Sequence, residues 1–364
     1  MLQVRGIGLV SSLGLDATTS LAAARAGLSR CAQLRTVNAE SDEATAGGAV
    51  FGHSVPCGVS NGFAGLAKAL LLGKAALADL LSSWSAPSPA RVGVYVILSD
   101  YFLIDGTQPP EEELDEARPL PGAGWRSATA DFIAQLIADG PLAPASHRRL
   151  FYGGHAEVAG ALTQADLDLS AGTVDACVIG AVDCCIEPRA IRAAARARVL
   201  KTEATSTGFL PGEAAAFAAV TADGAGPEGR VLVRACALTT DPKHGLSDQP
   251  ADGAGLAEAV SRCLERLTAD EQVRIGLVIG DLNGEERRAL EWGGCLVRLQ
   301  SRYGLGRLPT WQPAASFGET GCAAGVLLMC VGVRALQRHY AGTQSILIVL
   351  SSEGPGKAAV CLTN

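Results

Sequence analysis

The chain is poor in aromatic side chains, which make up 5% of its 364 residues, and it holds only 2 methionines. An immunoglobulin-type sandwich draws on Tyr, Trp and Thr for its packed faces, so this scarcity speaks against one. Lysine is also scarce: 5 lysines stand against 25 arginines, and no basic stripe offsets a formal net charge of −7. Nucleic acid is therefore not an expected partner, because phosphate binding needs a concentrated positive face. The 11 cysteines include no C-x-x-C pair, which argues against a structural zinc site. Most sit in apolar runs such as 175–183 and 321–333, a pattern of free, buried thiols in a reducing compartment. Residues 1–20 show neither a basic leader nor a cleavage site, and the apolar run 320–333 is too short to span a bilayer. The expectation is a cytoplasmic protein with no membrane partner.

Small and apolar residues are abundant: 43 glycines, and 48% hydrophobic residues in all. Disorder is excluded, since there is enough apolar surface to offset chain entropy. No short period runs through the glycines, so a collagen-like reading fails. At about 150 residues per domain, the length suggests two domains or one duplicated one.

Internal similarity favours duplication. Arg91-Val-Gly-Val-Tyr-Val-Ile matches Arg274-Ile-Gly-Leu-Val-Ile, both short runs of the kind that form buried parallel strands. Gly154-His-Ala-Glu-Val-Ala-Gly-Ala-Leu matches Gly318-Glu-Thr-Gly-Cys-Ala-Ala-Gly-Val-Leu, each a Gly turn opening a small-residue helix. A strand follows each helix, at 175–183 and at 345–350, and the strand at 4–10 has its counterpart at 233–239. The halves are 1–222 and 230–364, joined through the Gly/Pro/Asp-rich stretch 222–229. Strands alternating with helices imply α/β units with right-handed crossovers. An insertion at 101–149 breaks the pattern: an acidic, Pro-rich run at 109–121, then an amphipathic helix near 128–138. It is either a cap or subunit contact, or a solvated loop.

Several stretches resemble the β-ketoacyl synthase branch of the thiolase-like proteins. Residues 4–14 look like that family's first strand and turn, and Gly172-Thr-Val-Asp-Ala-Cys-Val-Ile-Gly-Ala-Val-Asp like the strand after its nucleophile helix. Gly208-Phe-Leu-Pro-Gly-Glu-Ala-Ala-Ala looks like the family's GFVxGEGAA, and Ser316-Phe-Gly-Glu-Thr-Gly-Cys-Ala-Ala-Gly like SNIGHTEGAAG. The resemblance covers most of the chain in the right order. It implies an α/β thiolase fold, with duplicated βαβαβαββ halves forming a layered α-β-α-β-α sandwich.

It also implies where the chemistry would sit, and there the sequence departs from the family. The nucleophile cysteine falls on His155, the histidine of the second-half signature on Glu319, and the remaining histidine on or near Asp281. The family lysine has no counterpart in 312–316, and Ser352-Glu-Gly-Pro-Gly-Lys replaces the gating loop. A ketosynthase needs a thiolate at a helix N-terminus and imidazoles to stabilise an enolate. Acyl-imidazoles hydrolyse readily, and carboxylates repel an enolate, so Claisen condensation is not expected.

Three readings of His155, Asp281 and Glu319 stay open at this point. The trio is a plugged site held by a charge pair, a hydrolytic or acyl-transfer site with His155 as base or nucleophile, or a one-His, two-carboxylate metal site. The expectation carried forward is a degenerate ketosynthase-like protein that works by binding, with no cofactor and no metal. Its expected partners are a second copy or a ketosynthase-like subunit, with an acyl carrier protein or a secretion-system effector as further candidates. An active acyltransferase or thioester hydrolase is the alternative. The segment 281–292, with Arg287, Arg288 and Glu291 at helical spacing, reads equally as functional or as an Asn-Gly turn before a solvated helix. Gly58-Val-Ser-Asn-Gly matches a nucleophile elbow, but lacks a good preceding strand and reads as a loop into a helix at 63–81. Cys57, the cysteine of a polar loop, has no neighbouring histidine, and Gly354-Pro-Gly-Lys lacks the spacing of a phosphate loop.

Overall fold

The protein is described by a computed structural model that covers residues 1–34, 49–56, 58–60, 62–86, 88–99, 123–224 and 230–364. The acidic run at 109–121, Cys57, Asn61 of the Gly58–Gly62 motif and most of the 222–229 joint lie outside the described residues.

Twelve strands are described. In the first part of the chain they are β1 (Leu2–Ser11), β2 (Ala32–Gln33), β3 (Phe51–Gly52), β4 (Val92–Leu98), β5 (His147–Tyr152), β6 (Ala176–Cys184) and β7 (Glu213–Ala222). The second part holds β8 (Leu232–Thr240), β9 (Ile275–Gly280), β10 (Thr310–Trp311), β11 (Ser345–Ser351) and β12 (Gly356–Thr363). β2 and β3 form a small antiparallel pair, and the rest form one continuous sheet in the order β10-β9-β11-β12-β8-β1-β7-β6-β4-β5. Read outward from the middle, β8-β12-β11-β9-β10 and β1-β7-β6-β4-β5 have the same strand order and the same pattern of parallel and antiparallel pairings. The two runs meet where Leu2 and Gln3 of β1 pair antiparallel with Val233 and Leu232 of β8.

Alternation along the strands builds the layers, because successive side chains leave a sheet on opposite faces. Ile346, Ile348 and Leu350 of β11 join one central core with Ile97, Ile179 and Ala216 from the first half. That core surrounds two helices, Glu157–Ser170 and Ala323–Gln337. The intervening residues Leu347 and Val349 face outward, onto the helices Ala254–Leu264 and Glu286–Tyr303. On the other side Val92, Val94 and Val96 pack against the helix Gly65–Ser83. The result is an α-β-α-β-α sandwich. Small residues allow close approach between its layers: a Cβ on Gly8 of β1 would lie 2.2 Å from the Ala76 carbonyl oxygen of the Gly65–Ser83 helix.

The amphipathic stretch near 128–138 is two short helices, Ala123–Thr129 and Phe132–Ile137, instead of one. Phe132, Ile133 and Leu136 are buried beside the Gly65–Ser83 helix, so this part of the insertion is core and not a solvated loop.

Candidate functional site

The three residues expected at the site come from three different turns. Asp281 directly follows β9, at the C-terminal end of a parallel strand. His155 stands between β5 and the Glu157–Ser170 helix, on a turn anchored where Gly153 N–H donates to the Leu98 carbonyl at 3.1 Å. Glu319 is fixed by its own backbone: its N–H donates to Leu210 O at 2.8 Å, and its carbonyl accepts from Gly212 N–H at 2.7 Å. The central helices approach closely through Gly325, where a Cβ would sit 2.3 Å from the His155 carbonyl oxygen. Only glycine lets these chain segments touch there.

His155, Asp281 and Glu319 meet, with 3%, 8% and 4% of their surfaces exposed. Nδ1 of His155 lies 2.8 Å from Asp281 Oδ2, and Nε2 lies 2.7 Å from Glu319 Oε1. A carboxylate offers only acceptors, so a ring facing one at each nitrogen carries a proton on both. Burial pushes the imidazole pKa down, but the Glu319 charge and the bonds to Asp281 and Glu319 outweigh it and the opposing Arg288 charge, raising it to about 9. Burial pushes Glu319 the other way, yet the charge and hydrogen bond of His155, with Arg288 and Asn283, lower it to about 2. Asp281 is also lowered despite its burial, by Arg288 and His155. The centre is an imidazolium clamped between two carboxylates. The cavity lined by His155, Asp281, Phe317 and Glu319 has a volume of about 10 Å³, room for no more than a single water.

Around this clamp lies a second tier that sequence reasoning did not assemble. Arg288 is 1% exposed. Its guanidinium donates to Asp281 Oδ2 at 3.0 Å, to Glu285 Oε1 at 3.3 Å, and to Glu353 Oε1 and the Ser351 carbonyl. Asn283 donates to Glu319 Oε2 at 2.6 Å and to Glu285 Oε1 at 2.7 Å. Beyond it Lys357, fully buried, contacts Glu291 Oε1 at 2.7 Å and donates to Ser351 Oγ at 2.7 Å. Arg287 reaches Glu353 at 3.1 Å and Glu291 at 3.6 Å. Asp281, Glu285, Glu291, Glu319 and Glu353 thus face His155, Arg287, Arg288 and Lys357, one carboxylate in excess. Burial and the adjacent Glu353 charge raise the pKa of Glu285, against the lowering effect of Arg288, Arg287 and Asn283.

The arrangement disfavours two kinds of chemistry. With both ring nitrogens protonated, His155 has no lone pair for attack or proton abstraction. The carboxylate oxygens facing it are spent on N–H donors, and among the described residues no group of three or more His, Cys, Asp or Glu side chains is placed to hold a metal ion. The N-terminus of the Glu157–Ser170 helix is met by Ser352, whose Oγ accepts from Ala156 N–H at 3.0 Å. The 281–292 segment is not a solvated face, since Arg288 and Glu291 are both 1% exposed. Ten cysteines are free among the described residues; burial pushes Cys177 and Cys361 up to about 12.

No helix among the described residues is long and apolar enough to cross a membrane. No protein-family model and no curated protein matches the sequence. Solved structures do match. The ishigamide ketosynthase/chain length factor aligns with a TM-score of 0.69 at 16% identity, over 100% of this chain and 99% of that one. A type II polyketide synthase acyl-carrier protein in complex with its ketosynthase gives 0.75 at 14% identity, over 100% and 98%. A β-ketoacyl synthase from Burkholderia phymatum gives 0.71 at 14% identity, over 100% and 99%. The chain therefore has the thiolase-like fold of the β-ketoacyl synthases.

Proposed function

We propose that this chain is a catalytically degenerate ketosynthase-like protein that acts by binding and carries out no Claisen condensation. The observation that carries this reading is the closed state of the centre: His155 is bonded at both nitrogens, beside a cavity of about 10 Å³. An acyl thioester has neither a nucleophile to meet nor space to enter. The same geometry weighs against the alternative, an acyltransferase or hydrolase using His155 with Glu319 and Asp281.

Binding needs a partner, and we read a ketosynthase-like subunit as that partner, with an acyl carrier protein as its cargo. This draws on solved structures of the same fold that are a ketosynthase/chain length factor and a ketosynthase with its acyl-carrier protein. Halves 1–222 and 230–364 are the units of the reading, each with its own sheet edge. At one edge stands β5, which no strand among the described residues pairs on the side away from β4, and there we place a strand from a partner. Two measurements test the proposal together. Incubation with acetyl and malonyl thioesters gives no turnover above buffer, and the protein co-purifies at fixed stoichiometry with a co-expressed ketosynthase. Turnover that disappears in His155→Ala overturns the proposal.

A further inference from the structure

Away from the closed centre, the C-terminal ends of two helices, Ala17–Arg25 and Ala323–Gln337, meet beside the edge strand β10. Two open cavities adjoin there, of about 520 and 540 Å³, and they share Leu21, Arg25 and Tyr340. Each is the size of an ordinary small-molecule site. Their walls differ in kind. One is largely apolar, with Leu21, Ala24, Trp311 and Val331. The other brings together Arg25, Arg334 and Arg338 and includes no acidic residue.

The three arginines line this wall with no acidic residue among its lining, in a chain of net charge −7. Arg25 lies over the Tyr340 ring at 4.4 Å, and Arg334 donates to Thr18 Oγ1 at 3.1 Å; no ion pair engages them among the described residues. Asp79, whose Oδ2 accepts from Leu9 N–H at 2.9 Å and Ala17 N–H at 2.8 Å, is the carboxylate on which the Arg334 charge acts, and it makes no ion pair with the arginines among the described residues. Tyr340 stacks on Trp311, with ring centroids 6.0 Å apart. The turn that aims Tyr340 there passes through His339 at φ 57, a left-handed position that glycine usually fills. Tyr340 N–H closes this turn onto Ala335 O at 3.1 Å.

We infer that this groove binds a phosphate monoester carrying an apolar or aromatic body. Arg334 in the last turn of its helix, Arg338 at the cap that ends it, and Arg25 opposite supply donors for a tetrahedral dianion. A carboxylate would need only one bidentate arginine. The apolar wall beside Trp311 takes the body of the ligand. The inference is independent of the reading of the His155 centre.

Calorimetric titration of the full chain with phenyl phosphate, inorganic phosphate and phenol tests it. One saturable site for phenyl phosphate is expected, about tenfold tighter than inorganic phosphate because a ring is buried, and phenol gives no heat. Arg334→Gln and Arg338→Gln each weaken phenyl phosphate about fivefold or more, as loss of a charge-assisted donor should. Trp311→Leu removes the preference over inorganic phosphate. Arg25→Lys, a conservative change at an exposed position, keeps the charge and part of the affinity. The same groove has a rival account, in which the arginines only neutralise two helix C-termini. Variants that lose melting temperature while phenyl phosphate never binds support that account and overturn the inference, as does binding of poly-glutamate but not of phenyl phosphate.

Discussion

His155 and Arg288 donate to the same oxygen: Asp281 Oδ2 lies 2.8 Å from Nδ1 of the imidazole and 3.0 Å from Nη1 of the guanidinium. That oxygen also accepts Ser351 N–H at 2.7 Å, so a single carboxylate joins the ends of β9 and β11 to the first half of the chain. Arg288 is the counter-charge on which this depends, since it also holds Glu285 and Glu353.

Replacing Arg288 by Met should therefore do more than remove bonds. It removes the counter-charge shared by Asp281, Glu285 and Glu353, and breaking a buried pair from one side costs about 3–5 kcal/mol. Urea unfolding of Arg288→Met measures this. A loss below about 1 kcal/mol, the worth of an exposed pair, would sink the idea that the network is one electrostatic unit.

Stability should depend on pH through the same centre. His155 is raised from 6.5 to about 9, so its contribution is fully present below 6.5 and is lost as pH rises through about 9. Glu319 is lowered from 4.5 to about 2, so its contribution is present above 4.5 and is lost as pH falls through about 2. Both act fully between 4.5 and 6.5. For the pair, counted once, the shift is worth about 3 kcal/mol. Urea midpoints should peak in that window, and His155→Gln should flatten the alkaline limb. An alkaline limb unchanged in His155→Gln contradicts the assignment.

The strands were legible because β4, β6 and β11 are short apolar runs ended by polar residues or glycine, and local pattern decides such elements. Aligning the Gly-led helices and the turn after the 274–279 strand with the resembling family's motifs also picked out His155, Glu319 and, on or near it, Asp281 as residues that meet. What stayed hidden was the second tier. Arg288 sits in a segment of sequence that reads equally as functional or as a solvated helix, because charged residues at helical spacing look the same whether they face water or one another. Its partner Glu353 is 65 residues away, on a turn between β11 and β12, and no spacing rule links the two. The two-helix break at 130–131 was missed for a similar reason: an amphipathic period does not show where a short helix stops.

Restoring the family's residue types should not restore chemistry. A triple variant, His155→Cys, Asp281→His and Glu319→His, alters a centre whose cavity is about 10 Å³ and leaves Arg288, Glu353 and Lys357 packed behind it. We expect no release of carbon dioxide from a malonyl thioester. Decarboxylation by this variant at a rate well above the uncatalysed one would count against the proposal that closure of the centre prevents condensation.

Two glycines give opposite expectations for one substitution. At Gly325 a Cβ would lie 2.3 Å from the His155 carbonyl oxygen and 3.0 Å from Val158 Cγ1, so Gly325→Ala must push the central helices apart. Overpacking of this kind costs about 1–3 kcal/mol. It should also loosen the imidazolium clamp, and an NMR titration would follow the His155 pKa from about 9 back toward 6.5. Gly293, in the Glu286–Tyr303 helix, has nothing within 4 Å of a built Cβ. Gly293→Ala there should stabilise by about 1 kcal/mol through helix propensity alone and leave His155 unmoved. If both variants shift the His155 titration equally, the close approach at Gly325 is not what holds the clamp.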